Sequence, residues 1–174
     1  WRIYDFDGAG SNADDINDGE VAGIQFIDFK NLQGGLDNDI FIIDTAFNGI
    51  ISGRGGADVF NINALVNNIS GGDDSDSFVF FNTGSVTTAT GGAGDDFVDF
   101  RNINANYTVT LDGTGINNVD SISRVIANNA FDFTLVANAG SNTWHIYDFD
   151  GAGSASDGVN DGEVAGIQFV DFKN

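Results

Sequence analysis

Short apolar runs alternate with clusters of Gly, Asn and Asp along the chain, and no window keeps the 3.6-residue apolar stripe of a helix. Residues 39–43 (DIFII) and 107–111 (YTVTL) are typical strand segments between turn-forming residues. The chain holds 24 Asp, 21 Asn and 24 Gly but only 2 Glu, and the three abundant types favour turns and caps over helices. The pattern predicts an all-β protein.

A long repeat divides the chain. Residues 1–31 recur as residues 144–174 at an offset of 143, without a gap and with 25 of 31 positions identical. Such self-similarity is typical of repeat architectures. We therefore expect residues 1–143 to form one repeat module and residues 144–174 to begin the next. The parent would be a longer tandem array or a subunit that joins end to end.

A shorter repeat lies inside the module, where four Gly-rich turns are each followed by an aspartate that we call a marker aspartate. The markers Asp39, Asp58, Asp76 and Asp96 are 19, 18 and 20 residues apart. Three apolar columns keep the same step: Leu32, Ile51, Ile69 and Ala89; Phe41, Phe60, Phe78 and Val98; Ile43, Ile62, Phe80 and Phe100. This period predicts a parallel β-solenoid (a β-helix or β-roll) with about 19 residues per coil. About seven coils would rise roughly 34 Å. Segments without Gly-Gly, such as 110–113 and 138–142, are expected to form looser turns.

Charge and composition exclude several classes. The 26 acidic residues outnumber 6 basic ones, so the net charge is −20, which opposes binding to nucleic acid. The absence of Cys excludes disulfides and a thiol nucleophile. No apolar run approaches the ~18 residues of a transmembrane helix, so we expect no transmembrane segment.

The four turns resemble the Gly-Gly-x-Gly-x-Asp nonapeptide of RTX (repeats-in-toxin) proteins, from Gly34 to about Phe100. The whole module is similar to tandem modules of giant bacterial surface and secreted proteins of the haemagglutinin and RTX-adhesin type. The segments that carry this likeness are residues 29–35, 91–96, 142–144 and 169–174. The resemblance implies an extracellular or cell-surface location, structural calcium, and a parent that acts in adhesion, biofilm or a sheath. One departure is that the unit occurs once per coil instead of every nine residues.

Calcium takes six to eight oxygen ligands, so stacked carboxylates beside Gly-rich turns form a first candidate site. Its members are the marker aspartates and three neighbouring turn residues, Asp37, Asp74 and Asp95. Asp37 and Asp74 stand where the nonapeptide has Gly, so a calcium ladder would follow one edge only. The alternative is that the marker aspartates cap turns by accepting hydrogen bonds from backbone N–H groups.

An acidic tract over residues 5–20, expected to be a loop, and its copy form a second candidate calcium site. It opens with Asp-x-Asp, as calcium loops do, but it lacks the spacing of an EF-hand. The alternative is a solvated acidic turn. The candidate ligands are Asp5, Asp7, Asp14, Asp18 and Glu20, with Asp148, Asp150, Asp157, Asp161 and Glu163 in the copy.

We predict no catalytic activity, because the only His, His145, is replaced by Arg2 in the other copy and no pair of carboxylates stands out. The favoured function is a structural repeat module that forms a stiff, calcium-stabilised stalk or filament of a large bacterial surface protein. Its partners would be adjacent modules of the same chain or identical subunits placed end to end, with a surface or glycan as a further target. The alternatives are a self-assembling extracellular filament subunit and the calcium-folding segment of a secreted enzyme or toxin.

Overall fold

The computed structural model describes residues 1–4, 18–112, 115–137, 140, 142–146 and 159–173, and this part of the chain forms strands and no helix. It therefore contains no helix that could cross a membrane. The all-β prediction is confirmed. The strands are β1 (Arg2–Ile3), β2 (Gly19–Val21), β3 (Ile24–Phe26), β4 (Asn31–Gln33), β5 (Ile40–Ile43), β6 (Phe47–Arg54), β7 (Val59–Ile62), β8 (Leu65–Asp73), β9 (Ser77–Phe81), β10 (Ser85–Ala93), β11 (Phe97–Asn102), β12 (Tyr107–Asp112), β13 (Gly115–Ile116), β14 (Val119–Asp120), β15 (Arg124–Ile126), β16 (Phe133–Val136), β17 (Trp144–Ile146), β18 (Val159–Val164) and β19 (Ile167–Lys173).

The strands form two sheets. The first has eleven strands in the order β17-β18-β19-β15-β11-β9-β7-β5-β1-β2-β3. The second has eight, in the order β16-β12-β13-β14-β10-β8-β6-β4. Parallel pairs build the middle of both sheets, because the chain visits them alternately: β5, β7, β9 and β11 in the first, β4, β6, β8 and β10 in the second.

The registers confirm the predicted columns. Phe41 pairs with Phe60 and Phe60 with Phe78 in the first sheet, while Leu32 pairs with Ile51 and Ile51 with Ile69 in the second. The repeat period of 18 to 20 residues holds only as far as β11. Beyond it, β11 pairs with β15 and β15 with β19 across much longer intervals, because antiparallel strands are inserted between them.

The core fills the space where the columns face inward. Phe41, Phe60 and Phe78 are fully buried, and their rings stack with centroids 5.1 and 5.3 Å apart. The other column residues are buried as well. Alternate side chains of a strand point to opposite faces, so each strand directs one set of apolar side chains inward. These side chains stack from repeat to repeat and build a continuous interior.

The segment around residues 110–113 differs from its prediction as a loose turn. Residues 107–112 are strand β12, which pairs antiparallel with β13, and β13 pairs antiparallel with β14. The connection between β13 and β14 places Asn117 and Asn118 at φ of 46° and 70°. Asn tolerates this left-handed region better than most residues, which suits a two-residue hairpin turn. Residues 113–114, 138–139 and 141 lie outside the described part.

Strands β1, β2 and β3 form an antiparallel first meander, and β17, β18 and β19 form a second meander with the same register. Both close β-hairpins through an Ala-Gly turn with positive φ at both residues, Ala22-Gly23 and Ala165-Gly166. The loop predicted over residues 5–20 is wrong at its end, because β2 begins at Gly19. Residues 5–17 lie outside the described part.

Candidate functional site: a ladder of buried carboxylates

The marker aspartates point into the protein. Asp58, Asp76 and Asp96 are 0% exposed, and Asp39 is half-buried. Each stands two residues before a buried member of the Phe column, and residues i and i+2 share a strand face. The same alternation that buries the apolar columns therefore buries these carboxylates.

Hydrogen bonds connect the four markers from repeat to repeat. The N–H of Asp39 donates to Oδ1 of Asp58 at 2.7 Å, that of Asp58 to Oδ1 of Asp76 at 2.8 Å, and that of Asp76 to Oδ1 of Asp96 at 2.7 Å. We call this arrangement the aspartate ladder. It satisfies backbone donors as the turn-capping alternative predicts, except that each donor belongs to the preceding repeat. The ladder thus fastens consecutive repeats to each other.

The second carboxylate oxygen lies against the first glycine of the same turn. A Cβ at Gly34, Gly53, Gly71 or Gly91 would overlap Oδ2 of the marker that follows it. In the first repeat Oδ2 of Asp39 accepts the N–H of Gly35 at 2.6 Å. In the next three repeats Oδ2 is buried and has no hydrogen-bond partner. The glycine is therefore required by close packing against the carboxylate.

Burial changes the acidity of the ladder. Loss of hydration raises the pKa of Asp76 from 3.8 to about 7, and the nearby carboxylates of Asp58, Asp96 and Asp74 add to the increase. Burial likewise raises the pKa of Asp58 and of Asp96, each with a neighbouring carboxylate as a smaller cause. The hydrogen bond from the preceding repeat opposes the increase in all three.

The other turn carboxylates lie outside this ladder. Asp37, Asp74 and Asp95 are exposed. Oδ2 of Asp74 accepts the N–H of Gly56 at 3.3 Å, and the N–H of Asp95 donates to Oγ of Ser75 at 3.2 Å. Asp74 and Asp95 link the outer surfaces of neighbouring turns, whereas the ladder links their interiors.

Two acids of the second candidate site are buried at equivalent places in the two meanders. Oδ1 of Asp18 accepts the N–H of Asp28 at 2.9 Å, and Oδ1 of Asp161 accepts the N–H of Asp171 at 2.8 Å. Asp28 and Asp171 have φ of 59° and 63°, so each buried carboxylate holds a residue in the left-handed region.

The remaining acids of that second site are placed only in part. Glu20 lies opposite Arg2 and Glu163 opposite His145 in their hairpins, and both Glu residues are half-buried. The other six candidates lie outside the described residues: Asp5, Asp7, Asp14, Asp148, Asp150 and Asp157.

In the described structure the ladder carboxylates serve hydrogen bonds between repeats and are not gathered around one point. Calcium needs six or more oxygens around one point. Here Oδ1 of each of Asp58, Asp76 and Asp96 accepts an N–H, and Oδ2 of each faces a glycine. Among the described residues, no group of three or more His, Cys, Asp or Glu side chains could hold a metal ion. Calcium binding by the ladder residues and by the acidic tract stays a prediction.

Sequence reasoning missed a second ladder, on the outer surface. Nδ2 of Asn67 donates to Oδ1 of Asn48 at 2.5 Å, and Oγ1 of Thr87 donates to Oδ1 of Asn67 at 3.2 Å. These residues are 19 and 20 apart, so the period of the marker aspartates was the signal that could have found them. Side-chain amides stacked at strand spacing can bond to their counterparts above and below.

Sequence reasoning also missed an ion pair between a buried aspartate and an exposed arginine. Asp99 is 4% exposed and binds Arg101 through two nitrogens, with Nη2 to Oδ2 at 2.6 Å. The pairing coincides with a register irregularity between β9 and β11. A single Asp-x-Arg in an Asp-rich sequence gives no signal for this role.

No protein-family model, curated protein or solved structure matches the chain.

Proposed function

We propose that the chain is a structural module of a long tandem array, built as a parallel β-solenoid that forms a stiff stalk or filament outside a bacterial cell. One observation carries this proposal. The described strands of the two copies of the 31-residue repeat, β1 to β3 and β17 to β19, form the same meander with the same register.

The stacking supports the solenoid part of the proposal. Each repeat adds one strand to each sheet, one aromatic or aliphatic side chain to each column and one carboxylate to the ladder. Contacts are made mainly between consecutive repeats. In such repeat proteins the free energy of unfolding is the sum of the stability of each repeat and of the interfaces between neighbouring repeats. Such a body extends in one direction and resists bending through its continuous hydrogen bonding.

The surface supports a mechanical role. Exposed Asp, Asn and Thr cover the turns, and the net charge is −20. A strongly acidic surface keeps long rods soluble and apart from each other. The extracellular location and the parent's role in adhesion, biofilm or a sheath rest on the resemblance of the turns to RTX-type proteins.

Calcium is the cofactor that we propose for the acidic tract, where it would neutralise part of this charge and stabilise the fold. Each copy of the tract has one buried acid at its meander, Asp18 in the first and Asp161 in the second. The proposal assigns no catalytic activity to the module.

A non-covalent filament of short subunits is the second candidate. The observation that favours it is the open edge of strand β3 at one end of the first sheet and of β17 at the other. Unpaired edges are templates for pairing with another chain.

Sizing and locating the native parent tests the proposal. Antibodies raised against this chain should label intact cells and detect a polypeptide far larger than 18.3 kDa on a denaturing gel. A band near 18 kDa with surface label would favour the non-covalent filament. Label confined to the cell interior would contradict the extracellular role.

A further inference from the structure

The two meanders have nearly the same sequence, with 25 of 31 positions identical, but they pair with different neighbours. The first meander joins the sheet through β1, which pairs with β5, and leaves β3 at the edge. The second joins the sheet through β19, which pairs with β15, and leaves β17 at the edge. The first meander thus shows the pairing made through its first strand, and the second meander shows the pairing made through its last strand.

The burial of the apolar side chains in each meander depends on which neighbouring strand covers them. Ile24 is 69% exposed, whereas its counterpart Ile167 is 2% exposed. Phe29 is 56% exposed, whereas its counterpart Phe172 is 5% exposed and its ring lies 6.2 Å from that of Phe133. The apolar side chains that β15 and β16 cover at one end are therefore open to water at the other.

A groove marks the uncovered surface. It has a volume of about 300 Å³ and is lined by Trp1, Ile24, Phe26, Phe29 and Leu32 among others. The strand also ends early there, since β3 stops at Phe26 whereas β19 continues past the equivalent Phe169 to Val170, which pairs with Ile126 of β15. An apolar groove next to an open strand edge is a docking surface.

We propose that each 31-residue meander is the joint between two modules, paired on one side with β15 of the preceding module and on the other with β5 of the following module. This inference rests on the proposed tandem array. The strand pairs that the two meanders make in this chain set the register of the joint. Phe26 would pair with Val125 of the preceding module, as Phe169 does here, and Ile146 would pair with Ile43 of the following one, as Ile3 does here.

Two backbone hydrogen bonds in this chain indicate which groups would bond to each other at the joint. The N–H of Gln168 donates to the carbonyl of Ser123 at 2.9 Å, so the N–H of Gln25 would donate to Ser123 of the preceding module. The N–H of Ile42 donates to the carbonyl of Trp1 at 2.9 Å, so the same donor of the following module would bond to Trp144. The first sheet would then run unbroken through the array, and Ile24 and Phe29 would be buried as Ile167 and Phe172 are.

Hydrogen exchange on a two-module chain tests the joint. This chain is residues 1–174 followed by a second copy of residues 32–174, which restores β5 after β17. In a parallel pair the amides of alternate residues face the same partner, so Trp144 and Ile146 face the open edge of β17. We expect their amides to exchange at least tenfold more slowly in the two-module chain than in the 174-residue chain.

A matched pair of variants separates the joint from general stability. In the joint the N–H of Trp144 would donate to the carbonyl of Ile40, as the nitrogen of Trp1 does here at 2.8 Å. Ile42→Pro in the second module removes the neighbouring N–H that would donate to the carbonyl of Trp144, which should break the pairing of β17 with β5 and restore fast exchange at Trp144 and Ile146, whereas Ile42→Val should not. Equal exchange at Trp144 and Ile146 in both chains, while Phe60 of the first module stays protected, would overturn the joint and leave the tandem array standing. Loss of protection at Phe60 in the two-module chain would also overturn it, since the modules would then not be compatible in this register.

Discussion

The N–H of Asp58 donates a hydrogen bond of 2.8 Å to Oδ1 of Asp76, a residue 18 positions later in the chain and one repeat further along the sheet. Both side chains are fully buried. The bond gives the marker aspartates a structural task that needs no metal. It also places carboxyl groups with raised pKa values inside the apolar core, from which several measurable properties arise.

Acidification should stabilise the fold near neutral pH. The folded protein keeps a proton on Asp76 up to about pH 7, whereas the unfolded chain releases it near 3.8, so the folded state binds more protons between these values. The free energy of unfolding should therefore rise as pH falls from about 7 to about 4. For Asp76 alone the upper limit is about 4 kcal/mol. Thermal melting followed by circular dichroism at pH 5, 7 and 8 measures this.

Replacing the buried charge should remove that pH dependence. Asp76→Asn keeps an acceptor for the N–H of Asp58 but cannot ionise, so it should raise the melting temperature at pH 8 and flatten the profile below pH 7. Asp73→Asn changes the same net charge at an exposed position and serves as the control. Identical profiles for the two variants would refute the assignment to Asp76.

Removing an acceptor carboxylate from the aspartate ladder should lower the free energy of unfolding. Asp58→Ala leaves the N–H of Asp39 without its acceptor, which is expected to lower the free energy of unfolding by about 1–3 kcal/mol. Asp58→Asn retains the acceptor and should lose less. Urea titration at pH 7 compares the two, and an equal loss in both would show that the hydrogen bond to Asp39 contributes nothing.

Two adjacent glycines should respond differently to alanine. A Cβ at Gly34 would overlap Oδ2 of Asp39 and the carbonyl of Gly53, whereas a Cβ at Gly35 meets only ordinary contacts, at 3.8 Å. We expect Gly34→Ala to destabilise by roughly 2 kcal/mol or more through overpacking, and Gly35→Ala to change stability little. Urea titration of both variants is the check. Similar stabilities would show that the carboxylate does not pack against the first glycine.

The stacked rings should account for much of the core's stability. Phe60 lies between Phe41 and Phe78, so Phe60→Ala should cost about 3–5 kcal/mol. Leu36 is 75% exposed, and Leu36→Ala should have almost no effect. Denaturant unfolding of both variants measures the difference, and a loss below about 1 kcal/mol for Phe60→Ala would contradict the column as core.

The part of the fold that follows the 18–20-residue period could be predicted from sequence, because the Phe column and the marker aspartates repeat in step. The inward direction of the markers was not predicted, although the sequence holds the signal for it, since Asp58 stands two residues before Phe60 and shares its strand face. The hydrogen bonds between repeats could not be read from sequence, because they depend on the height between strands. The hairpins formed by β12, β13 and β14 carry no Gly-Gly turn, so the period gave no indication of them.

The length that one module adds is the most direct test of the array. From β1 to β17 the first sheet advances by eight strand spacings, which corresponds to roughly 38 Å at about 4.8 Å each. Small-angle X-ray scattering should show that the two-module chain is longer than the 174-residue chain by about this amount, with an unchanged cross-section. An unchanged length with a thicker cross-section would contradict a solenoid that stacks module upon module.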